Sequence, residues 1–255
     1  MNPLDRTLVQ RLDLVATLTD EDRDALRALS LTHKTVAAGT DIVVENQEVH
    51  HSCLLVDGFV HRYRDTREGK RQIIAFHVPG DIVDLHSLKF EKLDHNVAAT
   101  IRCDLAFIRH EELWDLCMSR PNIAAALWRE TLIDGSIFRR WIVALGRMSG
   151  IQRTAHLLCE LTMRLHAMNT AQTQHFHLPL TQNELADALG LTVVTVNRTL
   201  QTLKQRGLVE RNRTMLTIRN WPALAQIAGF EATYLHLRNP PAMDFSEDRQ
   251  ANASA

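Results

Sequence analysis

Cysteine is scarce in this chain: Cys53, Cys103, Cys117 and Cys159 are the only four in 255 residues. They are too few for a disulfide framework and lack the paired close spacing of a zinc site, so a reducing, cytoplasmic setting is expected. Long apolar runs are also missing. No stretch approaches the roughly 18 to 20 apolar residues that span a bilayer. Residues 1–15 set Asp5, Arg6, Arg11 and Asp13 among single apolar residues, where a signal peptide would carry a continuous apolar segment. The expectation is a soluble protein with no membrane partner. Nor does charge of one sign dominate: 29 Lys+Arg against 30 Asp+Glu leave a net charge of -1. A nucleic-acid partner would therefore have to be met by a local patch. No G-x-S-x-G, H-E-x-x-H, P-loop or dinucleotide fingerprint occurs, and nothing in the sequence asks for an enzyme.

What is present is the composition of a globular protein, 45% hydrophobic and 23% charged, on a chain long enough to bury a large core without staples. Residues 19–29 place Thr19 as an N-cap ahead of acidic residues that the helix dipole favours, which predicts a short helix. From about residue 33 to 110 the texture changes to short Val- and Ile-rich runs between turn signals at Ala38-Gly39, Asp57-Gly58, Glu68-Gly69 and Pro79-Gly80. Ile42–Val44, Cys53–Val56, Phe59–Arg64, Ile73–Phe76 and Val97–Ile108 are expected to be strands. Their spacing points to an antiparallel barrel or jelly roll.

Between Pro121 and about Met148 the period becomes helical. Leu127, Thr131, Asp134, Phe138, Trp141, Leu145 and Met148 follow alternating steps of four and three, the seam of a coiled coil, and predict a helix that pairs with a second copy of the chain. A second helix, Ile151 to about Met168, leads through a polar stretch at 169–174 to a separate small domain ending near Tyr234. The tail beyond Arg238 has little apolar content and is expected to be disordered. Local charge is informative here. Residues 150–238 hold Arg153, Arg164, Arg198, Lys204, Arg206, Arg211, Arg213, Arg219 and Arg238 against Glu160, Glu184, Asp187, Glu210 and Glu231, a basic surplus on a chain that is neutral overall.

The strongest motif is LPLTQNELADALGLTVVTVNRTLQTLKQRGLV at 178–209. Thr181 and Glu184 form a capping box that opens one helix, with Leu185, Ala186 and Leu189 on one face. Gly190 stands where a left-handed residue ends it. Thr192 caps the next helix, whose inward face is Val196, Leu200 and Leu203 and which Gly207 closes. This is a helix-turn-helix. The second helix of such a pair lies in the major groove of DNA, so Val193, Val194, Asn197 and Arg198 are the outward candidates, with Thr192 and Thr195 near the phosphates and Thr181 and Gln182 as further DNA-binding candidates. Arg198 can donate two hydrogen bonds to guanine, and Asn197 suits adenine or a phosphate. Two short strands follow, Leu208–Arg211 and Met215–Ile218, forming a wing whose Arg211 and Arg213 are expected to reach backbone phosphates.

The chain resembles the CRP/FNR superfamily of transcription regulators over roughly residues 15–237. The resemblance is carried by Gly39, Gly58 and Gly69 in the strand-rich part, by FHVPGD at 76–81, by the long helix and by the helix-turn-helix motif. It implies an α+β protein: a double-stranded β-roll of the cyclic-nucleotide-binding kind (1–115), a dimerisation helix (116–149), a winged helix-turn-helix (150–237) and a tail (238–255). It further implies a homodimer on a palindromic double-stranded DNA site, with RNA polymerase as a partner and Arg198 as the guanine-reading arginine.

Two departures set this chain apart. Members that bind cyclic AMP hold the ribose with a Glu after the PGD turn and the phosphate with an Arg-Ser pair. Here residues 81–100 contain no Arg, and Asp94 and His95 stand where the phosphate would lie. The oxygen-sensing branch holds an iron-sulfur cluster on clustered N-terminal cysteines, and residues 1–52 contain none. The effector is thus expected to be neither, with Asp84, His86, Asp94 and His95 as the candidate effector pocket. His86 falls near the haem ligand of a carbon-monoxide-sensing member. That member carries a Cys two residues earlier, where this chain has Asp84, so a haem-dependent sensor is the alternative reading and no metal ligand is expected. His50-His51 and His175-x-His177 are expected to be solvated loop residues.

Overall fold

The computed structural model describes residues 3–169 and 174–243, with side chains from residue 7 onward. The tail expected to be disordered lies, from residue 244 on, outside the described residues, as do 170–173 of the polar stretch. The chain divides into two compact units. One comprises the residues up to Phe138 together with Leu235–Arg238, and the other begins at Arg139 and runs to Tyr234. The division falls inside the long helix, not at either of its ends.

The first unit opens with α1 (Pro3–Asp13), a helix not anticipated from the sequence. It continues with α2 (Asp20–Arg27), where the Thr19 hydroxyl accepts from the Asp22 amide at 3.2 Å and the Asp22 carboxylate accepts from the Thr19 amide at 3.0 Å, the anticipated cap. Seven strands follow: β1 (Thr32–Val36), β2 (Asp41–Val43), β3 (His51–Asp57), β4 (Val60–Asp65), β5 (Arg71–His77), β6 (Asn96–Ala99) and β7 (Cys103–Arg109). All pairings are antiparallel, in one sheet of order β1-β7-β3 and another of order β2-β6-β4-β5. The expected single run Val97–Ile108 is broken: Thr100–Arg102 leave the ladder and β6 and β7 enter different sheets. Gly58, at φ +102°, makes the β3–β4 turn possible. A Cβ there would lie 2.7 Å from Cys103 Sγ and 2.8 Å from the Arg102 carbonyl oxygen, so any other residue would have to push β7 away.

Between the two sheets Leu55, Val60, Val83, Val97 and Leu105 form one apolar cluster. A second gathers α1, α2, α3 (His110–Ser119) and the start of α4 (Pro121–Arg147) through Leu12, Leu26, Ile108, Leu113, Ile123 and Leu127. The apolar stripe of α4 is thereby divided. Leu127 and Trp141, expected to face a second copy, are buried within their own chain, and Asp134 is tied to Arg62. The apolar side chains that α4 exposes are Trp128, Leu132, Ile142 and Val143. Trp128, Leu132 and Ile142 fall, with Gly135 and Arg139, on steps of four and three one position later than the anticipated seam, and Val143 lies beside them. Of the other anticipated seam residues, Thr131 is exposed and Phe138, Leu145 and Met148 are half-buried.

The second unit contains the rest of α4, then α5 (Gly150–Ala167), β8 (His175–His177), α6 (Gln182–Leu189), α7 (Val193–Gln205), β9 (Val209–Asn212), β10 (Met215–Ile218) and α8 (Trp221–Ala228). α5 is its core helix, buried along most of its length. His175 and His177, expected in a loop, are strand residues paired with Thr217 and Met215. The alternation His-Phe-His puts Phe176 inside, and the buried Phe176 is what makes this a strand.

Candidate nucleic-acid interface and roll interior

The helix-turn-helix is built as its sequence prescribes. The Thr181 hydroxyl accepts from the Glu184 amide at 3.2 Å while the Glu184 carboxylate accepts from the Thr181 amide at 2.6 Å, which starts α6. Gly190, left-handed at φ 59°, ends it. Arg153 of α5 donates to the Leu189 carbonyl at 2.7 Å, placing a cation where the helix dipole is negative. Thr192 caps α7 by accepting from the Thr195 amide at 3.2 Å. Val196, Leu200 and Leu203 are buried, as expected, and Thr199 joins them, bonded to Thr154 of α5 at 3.1 Å.

The outer face of α7 is therefore free. Val193, Val194, Asn197 and Arg198 are exposed, Val194 at 79%. The Arg198 guanidinium has no hydrogen bond or ion pair within the described chain, so its planar fork is available. Gln182, Asn197, Gln201, Lys204, Arg211 and Arg213 border an open groove between α6, α7 and the wing. Gln201 and Lys204 were missed in the sequence, although they follow Asn197 at helical steps of four and seven. Arg213 sits exposed at the wing turn with φ 52°. Arg211 differs from expectation. Its guanidinium donates to the Leu180 carbonyl and, at 3.2 Å, to that of Arg213, and burial pulls its pKa down. It braces the wing against the entry to α6 and has less reach towards a phosphate than Arg213 has.

In the roll, His86, His95 and Asp94 are in contact with one another, and the four candidate effector residues differ in setting. Asp84 is buried and accepts from the Cys53 amide at 2.7 Å; burial pushes its carboxyl up to about 7. Asp94 faces outward with 87% of its side chain exposed, and its hydrogen bond from His95 keeps its carboxyl below the ordinary range. His95 is buried, with Nδ1 2.9 Å from Asp94 Oδ1. His86, on the short 3-10 turn Leu85–Leu88, packs against His95; burial, then the charge of Arg62, takes its pKa down to about 3. Two residues that the sequence reading overlooked lie among these groups. Arg62 of β4 is 2% exposed and donates to Asp134 at 2.9 Å and to the Val83 carbonyl at 2.8 Å. His77 is buried with Nδ1 3.5 Å from Asp81. The absence of arginine from 81–100 thus does not leave the interior without one, because a strand distant in sequence supplies it. No three His, Cys, Asp or Glu side chains converge as a metal-binding group among the described residues. No helix among them is long and apolar enough to cross a membrane.

The two units match two family models in the same order. A cyclic nucleotide-binding domain matches residues 33–120, and a Crp-like helix-turn-helix domain matches residues 152–227. The chain belongs to the CRP/FNR family of transcription regulators. It is 28% identical over 178 residues to the nitrogen fixation regulation protein FixK of Azorhizobium caulinodans, covering 70% of this chain and 71% of that one. It is 26% identical over 236 residues to the fumarate and nitrate reduction regulatory protein of Escherichia coli K12, covering 91% of this chain and 90% of that one. Among solved structures, FixK2 from Bradyrhizobium japonicum matches with a TM-score of 0.71 at 26% identity, over 78% of this chain and 98% of that one. The c-di-GMP responsive regulator CLP of Xanthomonas campestris, at 17% identity and a TM-score of 0.62, shares the fold. The roll, long helix and helix-turn-helix anticipated from the sequence are thus the family's architecture, and the last of these is its DNA-binding element.

Proposed function

We propose that this regulator acts as a homodimer on a palindromic double-stranded DNA site with half-sites about one helical turn apart. The carrying observation is the outer face of α7, where Val194 and the unpaired Arg198 stand exposed beside a groove rimmed by Lys204 and Arg213. Arg198 reads guanine, Asn197 a neighbouring base or phosphate, and Arg213 the backbone. Val193, Thr192 and Thr195 line the approach, with Gln182 and Thr181 on the first helix. Trp128, Leu132, Ile142 and Val143 supply the apolar face for the second copy. RNA polymerase, implied by the family, is the downstream partner. The roll receives an effector other than cyclic AMP, since Arg62, the buried arginine of β4, is already paired with Asp134, and other than an iron-sulfur cluster. Selection from a random DNA library, with light scattering of the complex, tests this reading. A two-fold symmetric site bound by two chains is the expected result, and an asymmetric site bound by one chain refutes it.

A further inference from the structure

Two imidazoles in the roll have no part in reading DNA. His86, on the 3-10 turn, and His95, ahead of β6, pack with ring centroids 5.0 Å apart and planes inclined at 47°. Nε2 of each is buried and has no hydrogen-bond partner. A buried polar atom left unpaired costs about 1–3 kcal/mol, so a pair side by side asks for something that satisfies both. The state of His95 is set by its neighbour. Asp94 Oδ1 lies 2.9 Å from Nδ1, so the proton resides on Nδ1, which donates it to the carboxylate, and Nε2 is left with a bare lone pair. An imidazole backed by a carboxylate on one nitrogen and open on the other is the arrangement that presents histidine to a metal ion.

We propose that His86 and His95 bind a divalent transition-metal ion through Nε2, with Asp94 as the positioning residue that fixes the His95 tautomer. The spacing suits it. Two imidazoles sharing one ion at metal–nitrogen distances of about 2.0–2.1 Å in tetrahedral geometry have centroids roughly 5 Å apart. Two neutral nitrogens favour zinc, cobalt, nickel or copper over calcium or magnesium. The local positive charge of Arg62 is offset by Asp134 at 2.9 Å. No third side chain completes the set among the described residues. The remaining positions therefore go to water or a small exogenous ligand, and the site is an exchangeable one open to a further molecule. This inference does not rest on the DNA-reading proposal.

Full-length protein stripped with a chelator and titrated with Co²⁺ and Zn²⁺, followed by calorimetry and by Co²⁺ absorption, tests it. One ion per chain is expected. His86→Ala and His95→Ala should each weaken binding at least tenfold. Asp94→Asn, at an exposed position where misfolding is not expected, should weaken it 10- to 100-fold with the circular dichroism unchanged. The His50→Ala/His51→Ala double variant should bind as the parent does. The proposal fails if no ion binds, if Asp94→Asn and His95→Ala leave the affinity unaltered, or if removing His50 and His51 abolishes uptake. A Soret band in the purified protein would also overturn it, because haem iron would then occupy His86.

Discussion

Arg62 of β4 and Asp134 of α4 form an ion pair at 2.9 Å in which the arginine is almost wholly enclosed. Burial alone would raise the Asp134 carboxyl, but Arg62 and His77 outweigh it and hold it below the ordinary value. A group with a depressed folded pKa contributes stability that is complete above its unfolded pKa and is lost as pH falls through the folded one. Asp134→Ala should therefore destabilise the protein by about 3–5 kcal/mol near neutral pH, because it strands a buried guanidinium, and the deficit should shrink in acid. Chemical denaturation at several pH values measures both. A loss below about 1 kcal/mol would mean that water reaches Arg62 freely.

The same pair ties Asp134 to its own protomer, and two kinds of substitution on α4 are to be told apart. Leu132→Glu places a charge on the exposed apolar face and should convert the proposed dimer to monomer in light scattering without unfolding the chain. Leu127→Ala removes a side chain from the protomer core and should cost about 2–5 kcal/mol of stability while leaving the dimer intact. If Leu127→Ala gives folded monomers instead, the face was misassigned.

Legibility differed between the two units for a physical reason. In α6 and α7 the caps, the left-handed Gly190 and the buried triad are local, fixed by residues within one or two turns, and the sequence displays them. In the roll the decisive contacts join residues far apart: Arg62 meets Val83 and Asp134, Cys53 meets Asp84, and no pattern around 62 distinguishes an arginine pointing in from one pointing out. β1, with four of its five residues exposed, carries no alternation to find. Arg211 shows the converse limit, since a basic residue in a basic wing reads as a phosphate contact until its carbonyl partners are seen.

On the DNA side, Arg198→Ala should lower affinity for the selected site by about 1–3 kcal/mol per half-site and relax the preference for guanine at one position. Arg213→Ala should weaken binding to specific and random DNA alike and flatten the salt dependence. Equal losses on both DNAs for both variants would dissolve the distinction between base reader and phosphate clamp.

Val194 stands exposed on the outer face of α7, beside Asn197 and Arg198. Its methyl groups can pack on the thymine methyl but accept no hydrogen bond. The selected site should therefore favour thymine there, and Val194→Glu should shift the preference to cytosine. An obligatory cytosine in the parent's site would contradict this.

The last prediction concerns Glu160, buried in α5 and accepting from Trp141 Nε1 at 3.1 Å and from the Tyr234 hydroxyl at 2.7 Å. Burial raises its pKa above the ordinary 4.5, with Arg164 at 3.4 Å and the hydrogen bonds only partly opposing it. The sign is opposite to that of Asp134. A raised folded pKa means that the folded state holds its proton more tightly than the unfolded chain, so this contribution is complete below pH 4.5 and is lost as pH rises through the folded value. Glu160→Gln keeps an oxygen to accept from Trp141 and Tyr234 and removes the titration. The variant should show a flatter dependence of unfolding free energy on pH above 4.5 and should gain on the parent as pH rises. A parent that gains stability relative to Glu160→Gln on going from pH 5 to pH 8 would show that Arg164 controls the carboxylate and that burial does not.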